Sequence, residues 1–302
     1  MDVFNTIYDE LHEAFPNMEM RFDEPMSAHT SFRIGGPARL MAFPKQVPEM
    51  QGVVKAAQNY DVVSFVIGNG TNILAPDEGL NAFVIKTAPG LDFFDIVGDK
   101  IVAGAGMLLS RLAVEAQKEG LSGLEFAHGI PGSVGGAVTM NAGAYGSEMK
   151  DIVLDVEYVS LLGQMELLRA DKLDFSYRHS AFSNHIGIIT GVRLKLKRDD
   201  PEAIKERMKD LMERRKASQP LDMPSAGSVF KRPVNGYAAQ LIDEAGLKGL
   251  KIGGAQVSEK HAGFIVNTGG ATARDVKMLI DKVRAIVLER TGVELETEIR
   301  VL

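Results

Sequence analysis

The chain has 302 residues, 45% of them hydrophobic and 25% charged, with a net charge of −6. This is the balance of a soluble globular protein of two or three domains, and its negative charge argues against a general nucleic-acid or membrane-surface binder. Cysteine is absent, which removes disulfides, thiolate metal sites and cysteine nucleophiles together and fits a reducing compartment.

The first residues, MDVFNTIYDELHEAF, read as an amphipathic helix with acidic positions. They lack the basic start and apolar core of a signal peptide. No later apolar run approaches the length that spans a bilayer, so a cytoplasmic protein with no nucleic-acid or membrane partner is expected. The periodicity predicts a helix over 48–59 with Met50, Val53, Val54 and Ala57 on one side. An apolar run at 62–67 predicts a buried strand that ends abruptly at GNGTN. Strands at 82–86 and 101–103 and a helix at 110–118 follow. The middle third is richer in strands: IVLDVEYVSLLGQMELLRA (152–170) reads as a hairpin turning at Gly163-Gln164, and IGIITGVRLKLK (186–197) as a further strand. Asp200 and Pro201 suit the cap and first position of a charged helix, with Ile204, Met208, Leu211 and Met212 as its apolar stripe. The last domain boundary is placed there. Beyond the polar loop SQPLDMPSAGS come a helix at 237–245 closed by Gly246 and a strand at 264–267. A long helix runs from Thr272 to near Gly292, with Asp275 completing a capping box. VELETEIRVL then reads as a terminal strand.

Two glycine clusters stand out. GNGTN (68–72) follows a buried strand, and consecutive N–H groups in such a turn can form a concave anion site; an ordinary strand-to-loop turn is an equal alternative. GIPGSVGGAVTMNAGAYG (129–146) has six glycines in eighteen residues. Ile130, Val134, Val138 and Met140 interleave with them, which favours a packed cofactor cradle over a flexible linker. Neither cluster is a Rossmann fingerprint. GAGMLL (104–109) comes nearest, but Leu109 stands where the third glycine belongs, and no Walker A motif occurs.

The polar signals are weaker. PSAGSVFKRP (224–233) puts Ser228 three residues before Lys231, matching S-x-x-K. Ser147 and Lys150 match it too, and there is no K-T-G, S-D-N or G-x-S-x-G partner, so acyl transfer gains no support. The six histidines have no metal-binding spacing. His179 and His261 read as hydrogen-bonded structural residues, and no metal is expected. SYRHSAF (176–182) sets Arg178 among aromatic and hydroxyl residues, a surface salt bridge being the plain alternative. In the terminal strand Val293, Leu295, Thr297, Ile299 and Val301 share one face and Glu294, Glu296, Glu298 and Arg300 the other. Pattern alone makes Glu298 a solvated strand residue.

HTSFRIGGPA, IGNGTNIL, GIPGSVGGAVTMNAGAYG, SYRHSAF, AGSVFKRP, AAQLIDEAGLKG and the terminal EIR run in this order from residue 29 to 300. Together they resemble the UDP-N-acetylenolpyruvoylglucosamine reductase family, flavoenzymes of bacterial peptidoglycan precursor synthesis. The resemblance implies an α+β fold: a two-part FAD-binding module of the vanillyl-alcohol-oxidase (PCMH) type at 1–97 and 98–200, and a C-terminal α/β substrate domain at 201–302. It implies non-covalent FAD, held by Gly68, Asn69, Gly70, Thr71, Asn72, Ile130, Gly132, Ser133, Gly135, Gly136, Asn141 and Gly143. It further implies NADPH as hydride donor and an enolpyruvyl UDP-sugar as substrate, reduced to UDP-N-acetylmuramate. Ser228 matches the family's proton donor, which makes it an acid rather than a nucleophile, and Lys231 is the nearest candidate in sequence to polarise it. Arg178 and Glu298 match the residues that stabilise the enolic intermediate. Lys216, Lys231 and Arg232 are candidate substrate contacts. Arg232 departs from the asparagine common in the family, and for the basic run Arg214-Arg215-Lys216 a solvated helix end is an equal alternative to a diphosphate site. The short C-terminal region resembles that of the compact subclass without an inserted substrate-covering loop. A monomer is expected. The other readings are another FAD oxidoreductase of the same fold acting on a small hydroxylated substrate, and a non-catalytic nucleotide-binding module, which would have no use for Arg178, Ser228 and Glu298.

Overall fold

A computed structural model describes residues 2–234 and 236–302; Met1 of the predicted N-terminal helix lies outside them. Helix α1 (Val3–Ala14) is capped by Asp2, whose carboxylate accepts from the Phe4 N–H at 3.1 Å, and it buries Phe4, Ile7 and Leu11 along one stripe. After β1 (Glu19–Pro25) and β2 (Pro37–Phe43), α2 (Val47–Asn59) starts where the Glu49 carboxylate accepts the N–H groups of Lys45 and Gln46. The predicted stripe Met50, Val53, Val54 and Ala57 is buried. β3 (Ser64–Ile67), β4 (Ile73–Leu74), β5 (Leu80–Lys86), β6 (Phe94–Val97) and β7 (Lys100–Gly104) follow. They lead to α3 (Leu109–Lys118), β8 (Leu121–Ser122) and the short α4 (Val134–Thr139). β9 (Gly143–Ala144) and β10 (Ser147–Glu148) precede the predicted hairpin of β11 (Val153–Ser160) and β12 (Met165–Arg169), which turns with Gly163 at φ +73°.

β13 (Gly187–Lys195) and β14 (Lys197–Arg198) run into α5 (Pro201–Ser218), where Asp200 accepts from the N–H groups of Glu202 and Ala203 at 3.4 and 3.3 Å. β15 (Ser225–Ser228), α6 (Ala238–Glu244), β16 (Lys251–Ile252), β17 (Ala255–Val257) and β18 (Phe264–Asn267) come next. In α7 (Ala273–Thr291) Thr272 and Asp275 exchange the two bonds of the capping box, each 3.0 Å, and Gly292 ends the helix at φ +71°. β19 (Arg300–Val301) closes the set. Among the described residues no helix is long and apolar enough to cross a membrane.

The chain divides into two compact units. The first takes the chain up to Asp23, Arg39–Asn69 and Asn81–Glu213, and its larger sheets, of four and five strands, go with two apolar cores. One sheet runs β1-β2-β5-β3, with β3 and β5 parallel and Ile67 opposite Lys86. Its core joins Ile7 and Leu11 of α1 and Val53 of α2 to Leu40, Phe83 and Ile85. The other sheet is antiparallel, β12-β11-β13-β7-β6. Its core joins Ile101, Leu112, Val134, Val156 and Val192, with Ile204 and Met208 added from α5.

The second unit comprises Glu24–Ala38, Gly70–Leu80 and Arg214–Leu302. Its sheet runs β15-β18-β17-β16, and β19 pairs in parallel with β4. Its core joins Phe32, Ile34 and Leu74 to Val229, Ile242, Val276 and Leu279, so three stretches far apart in sequence build one interior.

The terminal segment differs from its prediction. Instead of one strand over 293–302, only β19 is a strand, preceded by a single antiparallel bridge between Phe230 and Thr297. The reason is a change of partner: 296–298 bonds to 229–231, and 300–301 bonds to β4. The alternation fails accordingly. Leu295 and Ile299 are buried, but Val301 is exposed, while Glu298 and Arg300 on the expected solvent face are half-buried. Helix α5 also departs from a simple amphipathic pattern. Leu211 and Met212 are only half-buried, while Arg215 is 9% exposed, so the helix end is not solvated at that residue.

Candidate active site

The loop after β3 explains its own glycines. A Cβ on Gly68 would lie 2.3 Å from the Ser133 hydroxyl, so the loop and the 129–146 segment approach too closely for a side chain. Asn69 adds a tie, its amide donating to the Pro131 carbonyl at 2.5 Å. Gly70 sits at φ +65°, and a Cβ there would lie 1.9 Å from the His29 carbonyl oxygen. The backbone N–H groups of Asn69, Gly70 and Thr71 donate to no acceptor among the described residues. Consecutive unsatisfied donors beside a left-handed glycine suit an anionic diphosphate, which is the test the expected FAD has to pass here. Asn72 is turned differently. Its amide donates to the Glu298 carbonyl at 3.3 Å and its own carbonyl accepts from the Arg300 N–H at 3.0 Å.

The 129–146 segment is strapped to residues 105–109. Leu109 donates to Gly132, Val134 to Met107 and Gly135 to Ala105, at 2.9 to 3.0 Å. This accounts for the near-miss GAGMLL. Gly104 and Gly106 are there because the carbonyl oxygens of Leu91 and Gly90 stand 1.8 and 1.5 Å from where their Cβ atoms would be. Ser133, 1% exposed, caps α4 by accepting from the Gly136 N–H at 3.3 Å. Ile130 packs on the second core, and Gly143 lies in the β9–β10 pair with a hypothetical Cβ 2.7 Å from that of Glu148. Asn141 is fully buried at φ +41°. Its amide donates to Glu148 at 2.7 Å and to the Ser176 carbonyl at 3.0 Å, and its oxygen accepts from the Lys150 N–H at 2.9 Å. Its side chain therefore shapes the loop from within.

Arg178 occupies a tight turn. Ser176 and His179 exchange backbone hydrogen bonds at 3.2 and 3.1 Å, and Arg178 between them has φ +57°, a conformation non-glycine residues adopt at a cost. Both flanks are held by the glycine-rich segment: Ser176 through Asn141, and Ser180 through its hydroxyl, which donates to the Thr139 carbonyl at 2.9 Å. The guanidinium lies 5.1 Å from the centre of the Tyr177 ring.

Ser228 and Glu298 belong to the second unit, where the structure brings them together. Glu298 donates its N–H to Val229 at 2.7 Å and Lys231 donates to Glu296 at 2.8 Å, on either side of the Phe230–Thr297 bridge. The Ser228 hydroxyl donates to the Phe230 carbonyl at 3.3 Å. The expected Lys231–Ser228 link is not formed: the Lys231 ammonium is ion-paired with Glu296, which the turn of the backbone places on its side. Arg232 stacks over Tyr237 at 4.5 Å. Lys216 is exposed near the end of α5, its carbonyl accepting from the Lys260 ammonium at 2.5 Å. Burial lowers the pKa of both Arg300 and His261. Sequence reasoning missed Lys86, which touches the glycine loop. Its signal was a lysine closing the apolar run AFVIK, where the sequence pattern predicts only a strand over 82–86.

Residues 38–168 match a family model described as FAD binding domain, and residues 219–302 one described as UDP-N-acetylenolpyruvoylglucosamine reductase, C-terminal domain. The UDP-N-acetylenolpyruvoylglucosamine reductase of Alkaliphilus oremlandii is 44% identical over 295 residues, covering 98% of this chain and 97% of that one. The enzyme of the same name from Caldanaerobacter subterraneus subsp. tengcongensis is 45% identical over 296 residues, covering 98% of each. The crystal structure of UDP-N-acetylenolpyruvylglucosamine reductase from Thermus caldophilus superposes with a TM-score of 0.80 at 39% identity, covering 94% of this chain and 98% of that one.

Proposed function

Because the chain belongs to the UDP-N-acetylenolpyruvoylglucosamine reductase family, we propose that its glycine loops hold FAD and that Arg178, Ser228 and Glu298 act on the substrate. The protein is an FAD-dependent oxidoreductase that reduces UDP-N-acetyl-3-O-(1-carboxyvinyl)-glucosamine to UDP-N-acetylmuramate with NADPH, a step of peptidoglycan precursor synthesis. Its fold is α+β, an FAD-binding module of the vanillyl-alcohol-oxidase type followed by a C-terminal domain.

FAD, when bound, carries hydride from NADPH to the methylene carbon of the enolpyruvyl group. The N–H groups of Asn69, Gly70 and Thr71 take the diphosphate, Gly68, Gly132, Gly135, Gly136 and Gly143 let the two glycine-rich segments pack closely, and Ser133 caps α4 behind them. Ile130 packs the loop from below, while Asn72 and Asn141 act from inside the protein. Addition of hydride to the methylene carbon leaves an electron pair on the neighbouring carbon and its carboxylate. Arg178 and Glu298 stabilise that charge, and the Ser228 hydroxyl delivers the proton that completes the saturated product. Lys216, Lys231 and Arg232 are assigned to the UDP-sugar. The observation that carries this reading is the 2.7 Å bond from Glu298 to Val229, which fixes the expected acid pair on neighbouring backbone.

The two apolar cores of the first unit support assigning FAD subdomains to 1–97 and 98–200, and the third core supports a substrate domain within the proposed 201–302 that borrows Phe32, Ile34 and Leu74, although Ile204 and Met208 at its start pack in the first unit. A cytoplasmic monomer is the proposed state. Anaerobic mixing tests the whole reading: the yellow protein bleaches with NADPH and recolours with the enolpyruvyl substrate. A protein that bleaches but is not recoloured would remove the substrate assignment.

A further inference from the structure

Lys86, at the end of β5, has no part in the chemistry assigned so far. It is 8% exposed, its ammonium donates to the Gly68 carbonyl at 3.0 Å, and it has no carboxylate partner among the described residues. The buried carboxylates are answered: Glu49 accepts two backbone N–H groups and Asp155 holds Arg193. A cation out of water with one neutral acceptor for its three donors is unfavourable. The parallel register puts it there, since Ile67 opposes Lys86 and the residue ending β5 therefore stands beside the residue opening the glycine loop.

The Gly68–Asn69 peptide is planar, so its carbonyl and its N–H point in opposite directions. With the carbonyl gripped by Lys86, the Asn69 N–H faces away from Lys86, and it is one of the donors that find no acceptor among the described residues. We propose that Lys86 is a positioning residue for the FAD diphosphate: its ammonium fixes this peptide with the N–H toward the anion and adds positive charge behind it. The inference rests on the reading that loop 68–72 holds that diphosphate. The cation polarises the peptide it binds, which makes the opposite N–H a stronger donor.

Burial lowers the Lys86 pKa to about 8, and no carboxylate, histidine or second cation contributes to that shift. Nearest to where a Gly68 Cβ would stand are the hydroxyls of Ser133, from the other glycine segment, and of Thr87, next to Lys86 in the chain, and neither titrates in this range. An anion bound beyond the loop favours the charged lysine, so FAD binding should be level below pH 8 and weaken above it.

The holoprotein is diluted into buffers from pH 7 to 9.5, and the fluorescence of released FAD gives its affinity for the wild type, Lys86→Met and Lys86→Arg. The wild type is expected to lose affinity above pH 8 by up to about tenfold per pH unit. Lys86→Met should bind roughly tenfold to hundredfold more weakly at pH 7, without that step, so that the two curves converge at high pH. Lys86→Arg keeps its charge throughout and should also lack the step. Should Lys86→Met fail to fold, the wild-type step set against the level Lys86→Arg curve decides alone. Parallel curves at every pH would make Lys86 a packing residue and overturn the proposal, as would an unchanged affinity in Lys86→Met. A wild type that holds no FAD at any pH would instead remove the reading of the loop itself.

Discussion

Glu298 donates its backbone N–H to the carbonyl of Val229 at 2.7 Å, which sets it across from the residue that follows Ser228. Asn72 holds the other side of the same residue, donating to the Glu298 carbonyl at 3.3 Å. A side chain whose backbone is fixed at both polar groups has little freedom in where it points, as an acid acting on a substrate requires.

The first prediction follows from that fixing. Glu298→Gln keeps a donor of similar shape and Glu298→Ala keeps none, so alanine should slow substrate-driven flavin reoxidation far more than glutamine. NADPH should still reduce the flavin in both. Glu294 is exposed and bridges Arg284 at 3.3 Å, so Glu294→Gln is the control and should change stability by no more than about 0.5 kcal/mol. Stopped-flow absorbance of the two half-reactions makes the comparison, and a Glu298→Ala trace matching the control would return Glu298 to the role of a surface residue.

Ser228→Ala should retain FAD and accept hydride from NADPH, yet turn over the enolpyruvyl substrate about 100- to 10,000-fold more slowly, the usual scale of a lost proton donor. Among the described residues the hydroxyl's one hydrogen bond goes to Phe230 at 3.3 Å, a local contact whose loss should hardly alter folding. Normal reoxidation in this variant would leave the serine a turn residue.

Arg178 separates stability from activity. It holds φ +57°, which a glycine adopts freely, so Arg178→Gly should leave unfolding free energy unchanged or raise it by about 1 kcal/mol. The same change should slow reduction of the substrate by at least about 100-fold. Urea unfolding together with single-turnover kinetics tests both; a destabilised but active variant would contradict the assignment twice.

Lys86 should act on stability with the opposite pH dependence to its action on FAD. Its folded pKa is about 8, below the roughly 10.4 of an unfolded lysine, so between those values the unfolded chain binds more protons. The penalty is full below pH 8 and fades as pH rises through that window, with a ceiling of roughly 3 kcal/mol. Without flavin, Lys86→Met should therefore be more stable than the wild type at pH 7, by an amount that shrinks at pH 9.5. Urea titrations of the flavin-free proteins at both values measure it, and a pH-independent difference would exclude the lysine charge as its source.

Local rules made some of this fold legible in the sequence. Thr272, Asp275 and Gly292 delimit α7 because capping involves only neighbours, and the β11–β12 hairpin is announced by Gly163 for the same reason. Distant partners hid the rest. The terminal segment reads as one strand until Val229 and β4 divide it, and Lys231 lies close to Ser228 in sequence but is ion-paired with Glu296, 65 positions away. Motif reading placed Asn72 and Asn141 with the cofactor loops, but could not tell that both side chains bond inward to protein. Gly104 and Gly106 looked like a failed nucleotide fingerprint because the carbonyl groups that exclude their side chains come from Leu91 and Gly90.

The bond from Asn72 to Glu298 joins residues 226 positions apart, and β4 next to it has β19 as its pairing strand. During synthesis the ribosome must therefore add more than two hundred further residues before the exit of the glycine loop can be anchored. Phe32, Ile34 and Leu74 wait equally long for the interior they belong to. The nascent chain can complete much of the antiparallel sheet, and tie Gly68 to Lys86 and Asn69 to Pro131, while the far end of the loop at Asn72 still lacks its partner.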